Sequence, residues 1–187
     1  MVLLNAGFVG LVFVAGPRLL RQDSGAGWVS PRQGPGVERT ASLGLLTGWA
    51  MQVSALLGGS RRKQRPPVMA TLGAKALIAG ATILALLAQR SLGAAWRTSV
   101  AGTGAAPLVT TGPYRLARHP IYTGMLGVLL SNLTVARNRR AILGFALSLA
   151  ALEAQARVVE EPALAREYGE DYERWAANVG RFLPMLG

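Results

Sequence analysis

The chain has 187 residues, 51% of them hydrophobic and only 16% charged, whereas an average soluble domain has roughly 25% charged residues, so one integral membrane domain is predicted. It has no cysteine and one histidine, which excludes disulfides and thiolate nucleophiles and argues against a metal site held by the protein. The net charge of +11 could suit nucleic acid, but the basic residues fall between apolar segments, as in loops that flank membrane spans, so we expect no nucleic-acid partner.

Three apolar segments in the first half of the chain predict membrane-spanning helices. The first, Met1 to Gly16, lacks the basic start and the cleavage site of a signal peptide, so we expect it to be retained. A Gly/Pro/Ser-rich loop from Ser24 to Gly36 follows it. The second span lies between Arg39 and Arg61, and the third runs from Pro66 to Gln89. Each approaches the roughly 20 residues that cross a bilayer.

Two further spans follow a polar, glycine-rich stretch from Arg90 to Thr111. The fourth runs from His119 to Ala136, and a short basic turn separates it from the fifth, which is uncharged from Ala141 to Leu152. Because a short turn joins neighbouring helices, the start of the fourth span and the end of the fifth are expected side by side. The pattern predicts an all-α polytopic membrane helix bundle of about five transmembrane helices.

The fifth span continues into a charged stripe with no helix breaker before Pro162. At about 100° per residue its members share one helical face. They are Glu153, Arg157, Glu160 and Glu161. Such a stripe suits a site, but ion pairs of Glu153 with Arg157 and of Arg157 with Glu161 would also explain it.

The tail from Pro162 to Val179 predicts one amphipathic helix with an aromatic face. That face suits either an interfacial aromatic belt or a lid over a cofactor. Five spans would place the tail, the first loop and the third loop on one side of the membrane. Arginine is more abundant on that side, which predicts that the tail and the active site are cytoplasmic. Arginine greatly outnumbers lysine, as in GC-rich genomes, so we expect a bacterial plasma (inner) membrane.

Three motifs of the second half occur together at a characteristic spacing. They are Leu108 to Tyr114, then Arg118-His119-Pro120-Ile121-Tyr122, then Glu160-Glu161 with the later Tyr168-Gly169 and Val179-Gly180-Arg181-Phe182-Leu183-Pro184. From Leu92 onward the chain resembles the isoprenylcysteine carboxyl methyltransferase family, and the related phospholipid methyltransferases share much of the pattern.

The resemblance implies a small all-helical membrane enzyme that binds S-adenosylmethionine outside any Rossmann fold. It implies a single domain over residues 1–187, with three spans in 1–90 and a cofactor-binding catalytic half in 91–187, where the C-terminal amphipathic helix covers the cofactor site. By family position, the expected cofactor-binding residues are Pro107, Leu108, Val109, Tyr114, Arg118, His119, Pro120, Tyr122 and Glu160. The expected catalytic residues are Arg157, Glu161 and Glu153.

The sequence departs from the family pattern at a position associated with the methyl acceptor. Where the carboxyl methyltransferases have an arginine associated with the substrate carboxylate, this chain has Ala156, and Arg157 follows one position later. One residue turns a helix by about 100°, so prenylcysteine is doubtful as the substrate. Ala106 also replaces a residue that is often polar. A lipid, a polyketide-like phenol or pyrone, or a small thiol would suit a pocket that a lipophilic acceptor enters from the bilayer, and no obligate protein partner is expected.

Two alternatives stay open at this stage. Sterol reductases of the same superfamily share an Arg-His pair and a late Tyr-Gly-x-x-Tyr pattern, but they use NADPH. A non-catalytic membrane protein could have kept the same fold. A reductase would bind NADPH more tightly than S-adenosylmethionine, and a non-catalytic protein would bind no nucleotide cofactor.

Overall fold

The computed structural model describes residues 1–15, 36–58, 66–93 and 107–184, and within these ranges every regular element is helical. In chain order they are α1 (Val2–Val9) with a π-helical continuation (Gly10–Ala15), α2 (Gly36–Gly58), α3 (Val68–Leu92), a 3-10 turn (Gly112–Arg115), α4 (Pro120–Ala136), α5 (Arg139–Ala154), a π-helical segment (Gln155–Glu160), α6 (Glu161–Tyr168) and α7 (Glu170–Ala176). The predicted all-helical membrane bundle is confirmed. The predicted loop from Ser24 to Gly36, apart from its last residue, and Ala106 lie outside the described residues.

Each of the five predicted spans forms an apolar helix. Within the described ranges, three helices are long and apolar enough to cross a membrane: Arg39–Gly58, Val68–Leu92 and Arg139–Tyr168. Two are shorter, Val2–Phe13 and Pro120–Ala136. At 17 residues, α4 lies at the lower limit of about 17 residues for a bilayer span.

The helix of the fifth span does not stop at Pro162. It runs unbroken from Arg139 to Tyr168, with the π-helical segment placed directly before the proline. The wider π-helical turn interrupts the regular i to i−4 hydrogen bonds here, where proline lacks the N–H to make one. The continuous helix brings the carboxylates of the charged stripe to the start of α4.

The prediction of one tail helix from Pro162 to Val179 is wrong. The tail contains the last helical turns before Tyr168, a break at Gly169, and the separate α7, which ends at Ala176. Gly169 has φ +53°, a left-handed conformation that glycine adopts without the steric cost of a side chain. The break redirects α7 so that the chain after it returns to the start of α4.

Helices α2 and α5 form one closely packed pair, and α3 and α4 form another. Small residues allow this approach: a Cβ added at Gly144 would lie 2.6 Å from the carbonyl oxygen of Gly48, and one at Gly124 would lie 2.8 Å from that of Ala81. Close backbone contact through small residues is the usual way in which helices associate in lipid. The two pairs meet through contacts of α4 with α2 and α5.

Three buried amide side chains, here called the amide cluster, join four helices near the C-terminal end of α4. Asn5 and Asn132 exchange hydrogen bonds of 2.9 and 2.8 Å, and the Asn132 amide donates to the Gln52 oxygen at 3.2 Å. Gln52 in turn donates to the carbonyl oxygen of Ala141 at 3.1 Å. All three side chains belong to residues at most 2% exposed. Their mutual hydrogen bonds satisfy polar groups that would be costly to bury alone.

Candidate active site

His119 stands directly before α4, and Pro120 occupies the first position of the helix. Proline is favoured there because its missing N–H would lack a helical partner anyway and its φ is already helical. The histidine is only 7% exposed and lies between two carboxylates. Its Nδ1 is 3.1 Å from Glu160 Oε2, and its Nε2 is 3.4 Å from Glu161 Oε1. The predicted meeting of the Arg118-His119 and Glu160-Glu161 motifs is therefore observed.

The surroundings of His119 favour its charged form. Burial alone would lower its pKa, but the hydrogen bonds and negative charges of Glu160 and Glu161 outweigh burial, and the pKa lies above its ordinary value. Both ring nitrogens face carboxylate oxygens, and only the imidazolium has a proton to donate at each. His119 thus carries a positive charge at the membrane border over more of the neutral pH range than a free histidine does.

Aromatic rings hold the histidine in place. Its ring stacks on Tyr122, with centroids 5.4 Å apart and an interplanar angle of 10°. Phe182 packs edge-on against both rings, at 6.1 Å from His119 and 6.3 Å from Tyr122. The Tyr122 hydroxyl donates to Glu160 Oε1. Glu160 thus accepts from the phenol through one oxygen and faces the imidazole through the other.

Arginine side chains surround the second carboxylate. Arg181 contacts both oxygens of Glu161, with Nε 2.7 Å from Oε1 and Nη2 2.9 Å from Oε2. Its Nη1 lies 2.6 Å from Glu153 Oε1. Arg118 Nη1 is 3.4 Å from Glu161 Oε1. We call the set Arg118, His119, Tyr122, Glu153, Glu160, Glu161 and Arg181 the charged cluster.

Of the two ion pairs expected within the stripe, one forms. Arg157 Nη2 lies 2.8 Å from Glu153 Oε1, and its side chain is 64% exposed. The second expected ion pair, between Arg157 and Glu161, does not form, because Glu161 is paired with Arg181 and Arg118 instead. Arg157 is consequently at the exposed rim, while Glu161 is directed inward.

The end of the tail covers the segment that leads into α4. The backbone amides of Arg118 and His119 donate to the carbonyl oxygens of Gly180 and Arg181, at 2.8 and 2.9 Å. Upstream, the Trp175 indole donates to the carbonyl oxygen of Tyr114 at 3.2 Å. Tyr114 is buried, and burial, followed by the charge of Glu160, raises the pKa of its hydroxyl. The 3-10 turn, the start of α4 and the tail therefore form one packed unit.

Three buried polar atoms at this unit have no hydrogen-bond partner among the described residues. They are Arg118 Nε, the Tyr172 hydroxyl and Gln155 Oε1. Burial raises the pKa of the Tyr172 hydroxyl, and the neighbouring Arg118 guanidinium opposes this rise by its charge and by a contact too poorly aligned for a regular hydrogen bond. An unsatisfied buried donor or acceptor costs about 1–3 kcal/mol, so such atoms mark a place where a polar ligand would be stabilised.

The predicted site residues fall into two groups. Tyr114, Arg118, His119, Pro120, Tyr122, Glu153, Glu160 and Glu161 come together in or beside the charged cluster. Pro107, Leu108 and Val109 lie in an irregular, exposed or half-buried segment before the 3-10 turn, and Arg157 is at the rim. No role was predicted for Arg181 or Phe182. Their only signal in the sequence was membership of the last shared motif, six residues whose position in space the sequence does not show.

A helical membrane bundle with ionisable side chains gathered where the start of one helix meets the charged turns of another is the construction expected of an integral membrane enzyme. Residues 70–166, just over half of the chain, match the isoprenylcysteine carboxyl methyltransferase (ICMT) family. The chain belongs to this family and is, in general terms, a membrane methyltransferase. None of the curated proteins compared with the chain matches it. The matched range includes most of the charged cluster and ends before Arg181.

Proposed function

We propose that this protein transfers a methyl group from S-adenosylmethionine to a lipophilic acceptor, with the cofactor bound at the charged cluster. Methyltransferases of this family generally use that cofactor. The observation that carries the proposal is the buried His119, held between Glu160 and Glu161 near Arg118 and Tyr172, whose buried Nε and hydroxyl have at most a weak contact with each other. Ionisable groups at a membrane border are costly to keep there without a ligand or a reaction to serve.

The donors and acceptors of the cluster fit the cofactor. Arg118 Nε and the Tyr172 hydroxyl suit its carboxylate end, because guanidinium groups bind carboxylates through charge-assisted hydrogen bonds. Glu160 suits a ribose hydroxyl or the amino group, since an ionised carboxylate only accepts. By family position, we assign the rest of the cofactor site to Pro107, Leu108, Val109, Tyr114, Pro120 and Tyr122. When bound, S-adenosylmethionine supplies an electrophilic methyl group on its sulfonium.

The residues around the cofactor act by positioning and by excluding water. Holding donor and acceptor in line can contribute roughly 7–11 kcal/mol at best, so little covalent help from the protein is needed. The predicted roles of Glu153, Arg157 and Glu161 toward the acceptor belong to this proposal. Arg157, exposed beside Glu153, is the cation that an anionic acceptor would meet at the rim.

The methyl acceptor and the cofactor reach the site by different routes. A lipophilic acceptor enters sideways from the bilayer, while the water-soluble cofactor enters from the cytoplasm at the arginine-rich face. The whole chain acts as one domain in a bacterial plasma membrane, with three spans in residues 1–90 and the cofactor-binding half in residues 91–187. The departure at Ala156 and Arg157 favours an acceptor other than prenylcysteine.

The test is calorimetric titration of detergent-purified protein with S-adenosylmethionine and S-adenosylhomocysteine. We expect micromolar binding that His119→Ala and Glu160→Ala each weaken by at least about tenfold, because each removes hydrogen bonds to a charged group. Glu167→Gln, at an exposed carboxylate further along the same helix, is the matched control and should retain the parent affinity. Tighter binding of NADPH, or no binding of either cofactor by folded parent protein, would overturn the proposal.

A further inference from the structure

We infer that Arg181 is a positioning residue that fastens the C-terminal tail over His119 by bridging Glu153 and Glu161. The structural part of this inference stands by itself, and its consequence for cofactor binding rests on the proposed function. Arg181 lies outside the range that matches the family. We call the set Glu153, Glu161 and Arg181 the clasp.

The clasp uses three nitrogens of one guanidinium. Two contact the two oxygens of Glu161 and the third contacts Glu153, all at 2.6 to 2.9 Å. Both carboxylates belong to the long helix from Arg139 to Tyr168, whereas the arginine follows α7. The side chains of Arg181 and Glu161 are only 19% and 12% exposed, so solvent screens this pair less than a surface ion pair. Lysine, with one compact ammonium group, cannot reproduce the planar two-pronged contact.

Residues next to Arg181 transmit its position to the histidine. Its own carbonyl oxygen and that of Gly180 accept hydrogen bonds from the backbone amides of His119 and Arg118. Phe182, the following residue, packs its ring against His119, and its carbonyl oxygen accepts from the Thr123 hydroxyl at 2.5 Å. Anchoring Arg181 therefore sets both the backbone and the ring contacts that orient His119.

The clasp also distinguishes the two adjacent glutamates. Glu161 is neutralised by Arg181, with Arg118 at 3.4 Å, and both of its oxygens are engaged. Glu160 is directed instead to His119 and Tyr122. Both glutamates contact His119, but only Glu161 also binds Arg181 of the tail, and only Glu160 also accepts from the Tyr122 hydroxyl.

Hydrogen exchange on the full-length protein in detergent tests the clasp without cofactor. The amides of Arg118 and His119 are the reporters, because tail carbonyls are their acceptors. In Arg181→Met these amides should exchange at least about tenfold faster, since charge-assisted hydrogen bonds that hold the tail are lost. Arg181→Lys should recover part of the protection. Arg174→Met removes an exposed ion pair with Asp171 on α7 and is the matched control that should leave both amides unchanged.

Cofactor binding supplies the second readout. The dissociation constant for S-adenosylmethionine should rise about tenfold in Arg181→Met and less in Arg181→Lys, in step with the exchange of the two amides. Should Arg181→Met fail to fold, Glu153→Gln tests the same clasp more gently, because the contacts of Arg181 with Glu161 remain.

The outcomes separate the clasp from the proposed function. Unchanged exchange at Arg118 and His119 in Arg181→Met would show that the clasp does not hold the tail. Faster exchange with unchanged cofactor affinity would overturn the positioning role. If the parent protein binds no S-adenosylmethionine, the proposed function fails, and faster exchange in Arg181→Met still supports the clasp as a fastening of the tail.

Discussion

Two polar clusters lie inside the described part of the chain, and they differ in charge and in how fully their polar atoms are paired. The amide cluster is neutral, and none of the side-chain polar atoms of Asn5, Gln52 or Asn132 is left without a partner. The charged cluster carries carboxylates, arginines and an imidazole, and it borders buried atoms that have no partner among the described residues. A neutral cluster whose hydrogen bonds are all made is expected to stabilise the bundle, whereas a charged one with unpaired atoms is expected at a binding site.

Position reinforces this difference. The amide cluster joins α1, α2, α4 and the first turn of α5, at the end of α4 remote from His119. The charged cluster joins the start of α4, the long helix that begins with α5, and the tail, where we propose that the cofactor binds. Damage to the first should therefore reduce stability, and damage to the second should reduce binding.

The largest effect is expected from Asn132→Asp, which places a carboxylate in a fully buried amide site. A charge at the centre of a membrane helix costs about 2.5–3.5 kcal/mol, and this figure is the upper limit for Asn132, which is buried near the end of α4. Unfolding by SDS titration, followed by helical circular dichroism, measures the loss. Asn138→Asp is the control, because an aspartate can accept the same hydrogen bond from the Ala141 amide at the start of α5. Equal stability of the two variants would remove the distinction between the clusters.

Tyr122→Phe should weaken cofactor binding and change stability little, which is the reverse of the effect expected from Asn132→Asp. It deletes the hydroxyl that donates to Glu160 and keeps the ring that stacks on His119. Because hydrogen bonds to charged groups contribute about 1.5–3 kcal/mol, calorimetry should show affinity for S-adenosylmethionine weaker by tenfold or more. The SDS midpoint should change less than in Asn132→Asp. A variant that unfolds more easily yet binds like the parent would assign Tyr122 to the bundle instead.

The pH dependence of stability should also separate the clusters. Because the pKa of His119 is raised on folding, its ion pairs stabilise fully below its ordinary pKa of about 6.5 and lose this contribution as pH rises through the folded pKa. The difference in unfolding temperature between the parent and His119→Asn should therefore narrow with rising pH. The difference for Asn132→Leu should stay constant, because amides do not titrate. If the difference in unfolding temperature for His119→Asn stays constant or widens with rising pH, it would contradict a positively charged His119 in the folded protein.

The smallest effect is expected from Arg157→Gln. Its ion pair with Glu153 is largely exposed, and exposed pairs contribute about 0–1 kcal/mol. Stability and cofactor affinity should both stay close to those of the parent in the same two assays. A drop in methyl transfer with affinity retained would support the prediction that Arg157 acts on the acceptor. A large loss of stability would show that this rim pair is part of the clasp.

Much of the molecule follows from sequence patterns alone. Long uncharged segments predicted the spans, because a bilayer tolerates few charges over the length of a helix. The short turn after Ala136 predicted that the start of α4 and the end of the fifth span are neighbours, and His119 and Glu160 do meet. Motif spacing pointed to the ICMT family, which the match over residues 70–166 confirms.

Tertiary structure decided the partners within the charged cluster. Periodicity places Glu153, Arg157 and Glu161 on one face, but it does not show that Arg181, distant along the chain, displaces Arg157 as the partner of Glu161. Nor does it show the break at Gly169 that turns the tail back onto Arg118 and His119. Helical repeats are local properties of the chain, whereas ion pairs between distant segments depend on how the helices pack, and only the folded protein decides that.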